Sequence, residues 1–263
     1  MLATRYVLII LTAVLGVSAC GSGSDSSGPS TAGSIDRKII TSRVNGTSYP
    51  LNIYLPPASA GSPASLPILY ALDGESRFPE LVNIVETSHS AFIVVGIGNE
   101  ANRAHDYVPP NTCTPNGGGE AAFLDFIRTE LIPFVESTIG GAPTKRALLG
   151  HSHGGSFVLY ALLAQAPADH PFAVYLASDS SIWCMPATVA EWEQDYAAGY
   201  ADLPVRLHVS YSGNVENPAF AQALQNRHYP NLTVEAHDYV GGHIGMIPAA
   251  FTAALAFAFP KIN

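Results

Sequence analysis

The chain has 263 residues, enough for one domain with a full hydrophobic core; 48% are hydrophobic and only 13% charged. Twelve basic residues face 21 acidic ones, a net charge of −9, and no basic cluster stands out. That balance excludes recognition of a nucleic-acid phosphate backbone.

In chain order, the first segment reads as an export signal. Arg5 supplies a positive start, and YVLIILTAVLGV is an apolar run too short to span a bilayer comfortably. It closes on VSAC, which resembles a bacterial lipobox with lipid added to Cys20; an ordinary signal peptide cut after Ala19 is the plainer alternative. The Gly/Ser-rich stretch that follows cannot bury a core and reads as a tether. The predicted organisation is a signal peptide over 1–19, a tether over 20–36 and one catalytic domain over 37–263. A lipid-anchored product would face the periplasm at the outer membrane if the host is Gram-negative, since Gly21 is not the aspartate of inner-membrane retention signals.

Two β-type runs flank Asn45-Gly46, a hairpin signal. LPILYALDG is an apolar run suited to a buried strand, ESRFPELVNIVETSH a helix, AFIVVGIG a second buried strand, and NEANRAHDYVPPNTCTPNGGG a long loop. From Glu120, Phe123, Ile127, Leu131 and Val135 recur at helical spacing, with Pro133 predicting a kink or an irregular turn. KRALLGHS reads as a strand, HGGSFVLYALLAQA as a helix, and FAVYLASDSS, VRLHVSYSG and NLTVEAHDYV as three strands before an apolar C-terminal helix. Strands alternating with helices predict an α/β fold, a mostly parallel sheet covered on both faces.

Gly150-His151-Ser152-His153-Gly154 fits Gly-x-Ser-x-Gly, a common pattern on its own. Here it falls between a predicted strand and a predicted helix, where a serine occupies a sharp turn that needs small neighbours and faces free helix N–H groups. Ser152 is therefore the candidate nucleophile. A hydroxyl needs a base, and in such folds the base comes last; His243 follows the last strand behind Gly241 and Gly242. His208 and His237 lie inside strands, and His151 and His153 are expected to point away from the nucleophile. The third member should be a carboxylate in a loop after a strand, and Glu216, after VSYSG, is the candidate; Asp238 is a rival, and Asp202 lies at the wrong end of its strand. The oxyanion donors expected are the backbone N–H groups of His153 and Glu75.

These residues together resemble the Putative esterase family of α/β-hydrolases, which includes enterochelin esterases, S-formylglutathione hydrolases, feruloyl esterase domains and mycolyltransferases. The resemblance covers roughly residues 37–262. LYALDG resembles the family's oxyanion loop, NRAHDYVPP its Arg-x-x-Asp-Tyr-x-Pro loop, GHSHGG its nucleophile elbow, ASDSSIW its Ser-Pro-Ser-x-Trp-Trp stretch, GNVE its acid loop and GGHIGMIPAAF its histidine loop. It implies an α/β-hydrolase cleaving carboxylic esters through an acyl-enzyme, with Arg103, Asp106, Tyr107 and Trp183 lining the substrate pocket. Asp179 and Cys184 stand where the family often has Pro and a second Trp. An acyltransferase on the same triad, or a non-catalytic binding lipoprotein on the same scaffold, are the alternatives. Neither a metal nor a cofactor is expected, and the partner is a small-molecule or lipid-like ester. In an exported chain, the two cysteines beyond Cys20, Cys113 and Cys184, predict a disulfide, because both loops leave the same sheet edge.

Overall fold

The computed structural model describes residues 32–140 and 145–260; the predicted signal segment, Cys20 and most of the tether lie outside them. The chain runs β1 (Ser34–Thr41), β2 (Ser48–Leu55), β3 (Ile68–Ala71), α1 (Gly74–Ser88), β4 (Ile93–Ile97), α2 (Arg103–Asp106), α3 (Glu120–Phe126) and α4 (Ile132–Ile139). It continues through β5 (Arg146–His151), α5 (His153–Leu163), β6 (Val174–Ser178), α6 (Pro186–Gly199), β7 (Arg206–Tyr211), α7 (Glu216–Asn226), β8 (Thr233–Asp238), α8 (Gly242–Gly245) and α9 (Ile247–Ala258).

The eight strands form one sheet in the order β1-β2-β4-β3-β5-β6-β7-β8. β1 and β2 form the predicted antiparallel hairpin, β2 pairs antiparallel with β4, and the remaining strands are parallel. The hairpin closes through Gly46 at φ 73, in a loop where Ser42 N–H donates to Thr47 O. This is an α/β-hydrolase sheet, as expected.

Alternation along each central strand divides the core in two. Ile68 and Tyr70 of β3 enter one cluster with Phe123, Phe126, Phe157 and Leu162, beneath α3–α7. Leu69 and Ala71 enter the other, with Phe78, Leu81, Phe251 and Leu255 of α1 and α9. β3–β6 are buried on both faces, which is why they read as continuous apolar runs. Each fully buried Leu or Phe contributes about 1.5–3 kcal/mol by removal from water.

At Pro133 the irregularity takes the form of a π-helical turn, Ile127–Leu131, between α3 and α4; it places the proline, which lacks an N–H, in the first turn of a new helix. α6 has no counterpart in the sequence reading. Its inward face is Val189, Glu193 and Tyr196, and the glutamate breaks the apolar stripe; buried Glu193 instead forms a two-pronged ion pair with Arg227 (2.6 and 2.8 Å). Because the central strands are parallel, the loops after β3, β5, β6, β7 and β8 all open at one edge, where ligands bind in such sheets.

Candidate active site

Ser152 stands between β5 and α5 at φ 61, ψ −124, outside the regions a side-chain-bearing residue ordinarily occupies. The turn tolerates this because its neighbours are bare. A Cβ on Gly150 would collide with the Gly154 carbonyl, and one on Gly155 would lie 2.7 Å from Ser180 Oγ. The strained turn lifts the hydroxyl into a cavity of about 430 Å³ lined by Asp73, Ser76, Arg77, Glu100, Arg103, His151, Ser152, His243 and Ile244. Ser152 Oγ lies 3.4 Å from Ser181 Oγ. A larger hollow, about 560 Å³ beside Tyr54, Glu86 and His89, sits at the opposite end of the sheet.

His243 enters the same cavity from α8. Gly241 (φ 120) and Gly242 (φ 68) make the bend that carries it there, conformations open to glycine and strained for other residues. Its Nδ1 is 2.6 Å from Asp179 Oδ2. A carboxylate only accepts, so Nδ1 carries the proton and Nε2 keeps its lone pair, the tautomer a general base requires.

The carboxylate against His243 is thus Asp179, one residue past β6, and the expectation that Glu216 would meet this histidine is corrected. Glu216 opens α7 and lines an apolar groove with Ile182, Val189 and Phe220 between α6 and α7. The rival Asp238 accepts from Gly213 N–H (3.0 Å), and Asp202 from Leu203 N–H and Asn231 Nδ2 at the other end of β7. Asp179 reaches the histidine because the chain turns sharply there, at φ 41, with its N–H donated to Ser210 O on the neighbouring strand (2.6 Å). The available signal was its position, an acid directly after an apolar parallel strand next to the nucleophile strand.

His151 does not point away. Its ring packs on that of His243 with centroids 4.5 Å apart, and Nδ1 meets Ser178 Oγ at 3.1 Å. Burial, then the proximity of His243, Arg77 and Arg103, pushes its pKa down to about 3, so it remains a neutral plate against the His243 ring. His153 is half-buried, and burial together with nearby Arg103 lowers its pKa. His208 is a buried core residue stacked on His237, 5.4 Å between centroids.

Both expected oxyanion donors sit at helix N-termini. His153 is the first residue of α5 and Glu75 the second of α1, where backbone N–H groups have no partner within the helix. The Glu75 carboxylate turns aside to accept from Asn99 N–H (3.0 Å) and Glu100 N–H (3.3 Å). The turn before it has Asp73 in the left-handed region at φ 52, held by two residues expected to line the pocket. Arg103 grips the Asp73 carboxylate through Nε and Nη2 (3.0 and 3.1 Å), and Asp73 N–H donates to Tyr107 Oη (3.3 Å).

Of the four expected pocket residues, only Arg103 forms a wall of the cavity. Tyr107 is fully buried against Phe123 and Phe157, and Asp106 lies beneath the surface, bound by Tyr49 Oη (2.9 Å), Asn99 Nδ2 (3.2 Å) and His105 Nδ1 (2.6 Å). Their task is to anchor the loop, because an aromatic ring and a carboxylate with three partners satisfy its underside. Trp183 is 69% exposed, outside the cavity.

The predicted disulfide is present. Cys113 and Cys184 are bonded with Cα atoms 5.1 Å apart, tying the loop after β4 to the segment after β6. Among the described residues no group of three or more His, Cys, Asp or Glu side chains is arranged to hold a metal ion, and no helix is long and apolar enough to cross a membrane.

The siderophore triacetylfusarinine C esterase of Aspergillus fumigatus is 36% identical over 134 residues, 45% of each chain; the alignment thus spans less than half of that relative. The ferri-bacillibactin esterase BesA of Bacillus subtilis is 26% identical over 259 residues, covering 84% of this chain and 88% of that one. The crystal structure of an IroE-like serine hydrolase from Shewanella oneidensis superposes with a TM-score of 0.76 at 25% identity, over 88% of this chain and 82% of the other. The family model described as Putative esterase matches residues 42–234, most of the catalytic body and its nucleophile elbow. The chain belongs to that family, and its sheet is that of the α/β-hydrolase fold.

Proposed function

We propose that this chain hydrolyses a small-molecule carboxylic ester through an acyl-enzyme, with Ser152 as nucleophile, His243 as base and Asp179 as the acid that orients the base. The observation carrying this reading is the 2.6 Å contact between His243 Nδ1 and Asp179 Oδ2, on a cavity that also holds the strained Ser152. Ser152 Oγ attacks the ester carbonyl as its proton passes to His243 Nε2. The backbone N–H groups of His153 and Glu75 receive the oxyanion. Collapse expels the alcohol, which takes the proton from His243, and water repeats the sequence to release the acid. His151 presses on the base without competing for protons.

The relatives named as siderophore esterases support a siderophore-type ester as substrate. The cavity wall presents Arg77 and Arg103 beside Asp73 and Glu100, and Arg103 is already neutralised by Asp73. The site therefore suits a polar ester of low net charge better than a strongly anionic one. Anchoring through lipid on Cys20 belongs to the same proposal and rests on the VSAC motif.

The test is covalent. A fluorophosphonate probe labels the wild type on Ser152 and leaves Ser152→Ala unlabelled, and a siderophore ester is turned over with release of free acid. Labelling elsewhere, or retained turnover in Ser152→Ala, refutes the assignment.

A further inference from the structure

The turn after β7, where a carboxylate was expected, carries no charge from Ser212 to Asn214, yet it touches both Asp179 and the loop that carries His243. Asn214 Nδ2 donates to Asp179 Oδ1 at 2.6 Å, and Ser212 N–H donates to the same oxygen at 3.3 Å. Ser212 Oγ accepts from Gly242 N–H (3.0 Å), the residue before His243. One turn thus fastens the acid loop and the histidine loop together.

Asn214 is itself fixed from behind. Its Oδ1 accepts from Asn217 N–H (3.2 Å) and from Asn217 Nδ2 (3.0 Å). With both donors on that side, the amide cannot flip, and Nδ2 must face Asp179. Asn217, 2% exposed, also pairs with the backbone of Ser180, accepting from its N–H (3.1 Å) and donating to its carbonyl (3.0 Å). Asn217 therefore grips both the residue after Asp179 and the side chain that points at it.

We propose that Asn214 is a positioning residue for ester hydrolysis, aiming the Asp179 carboxylate at His243 as a neutral clamp backed by Asn217. The proposal rests on the reading of Asp179 as the acid partner. Neutral donors occupy Oδ1 without cancelling the charge, so Oδ2 remains free to stabilise the imidazolium that forms on His243. A cation in this place would compete with the imidazolium for Asp179, and a carboxylate would repel it.

A double-mutant cycle on aryl-ester hydrolysis tests this. Asn214→Ala lowers kcat by about tenfold or more, with KM within about twofold, because only the orientation of the base is lost. In an Asp179→Ala background the same change alters kcat by less than about twofold, since nothing is left to aim. The isosteric Asn214→Asp retains an acceptor for Asn217, turns an acceptor toward Asp179, and is slower than Asn214→Ala at neutral pH. Equal losses in both backgrounds, no loss in the wild-type background, or a fully active Asn214→Asp overturns the clamp. If Asp179→Ala itself is nearly wild type while Ser152 still labels, the acid assignment fails instead.

Discussion

Asp179→Asn separates the two carboxylates proposed for the base, and its consequence follows from hydrogen-bond directions. In the native site Oδ1 accepts from Asn214 Nδ2 and Ser212 N–H, and Oδ2 faces His243 Nδ1. An asparagine here must keep its carbonyl toward those two donors, so its NH₂ group faces the histidine. Nδ1 then becomes an acceptor, the ring proton moves to Nε2, and the atom that should take the serine proton is already protonated. A wrong-tautomer change of this kind costs about 10³–10⁴-fold in kcat, about 4–5.5 kcal/mol of transition-state stabilisation. Fold stability changes little, because the bonds to Asn214 and Ser212 are retained. Steady-state hydrolysis of a p-nitrophenyl ester reads the loss, and thermal unfolding reads the fold. Glu216→Gln, altering a residue of the groove between α6 and α7, stays within about twofold of wild type. A silent Asp179→Asn beside a crippled Glu216→Gln would refute the reasoning and restore the acid expected from the sequence.

Removing the Cys113–Cys184 bridge frees a loop with a sequence separation of 71; chain entropy assigns it about 4 kcal/mol, so Cys113→Ser/Cys184→Ser lowers the urea midpoint, and an unchanged midpoint excludes that role. Burial, then neighbouring His237, depresses the pKa of His208 to about 4, while the unfolded side chain titrates near 6.5. The unfolded chain therefore gains protons first, and stability present above about pH 6.5 is lost on acidification toward 4, by about 2 kcal/mol at pH 5 from this residue. His208→Gln should remove that share of the difference between pH 7.5 and pH 5 in urea titrations; an identical difference in the variant contradicts it. His243→Ala, like Ser152→Ala, cuts turnover by about 10³-fold or more in an otherwise folded protein, checked by kinetics beside circular dichroism. A palmitate analogue fed to cells marks the wild type and not Cys20→Ser; equal labelling refutes the anchor.

The sequence by itself determined whatever depends on short-range pattern. Apolar runs punctuated by Gly, Asp and Asn specify β3–β6 and their parallel class, because a strand buried on both faces reads as a continuous apolar run. Gly150, Gly154 and Gly155 around Ser152, and Gly241-Gly242 before His243, announce turns that other residues strain to make, so the two residues proposed as nucleophile and base stand out from local conformation alone. Which carboxylate meets the base is a different kind of fact. Asp179, Glu216 and Asp238 all lie near carboxyl ends of neighbouring strands, and spacing along the chain does not rank them. The choice rests on how sharply the chain turns after β6, on Ser210 of the next strand taking the Asp179 N–H, and on Asn214 and Asn217 filling the turn after β7. The same holds for Asp106 and Tyr107, whose motif marks a loop near the site while aromatic packing decides that both face inward. His151 likewise joined the site only through the approach of α8, which lays His243 on its ring. The contacts of Asp179 with Ser210 and Asn214, of Asn217 with Ser180 and of His151 with His243 each join residues more than 30 positions apart, and only the closed tertiary structure brings them within hydrogen-bond or van der Waals reach.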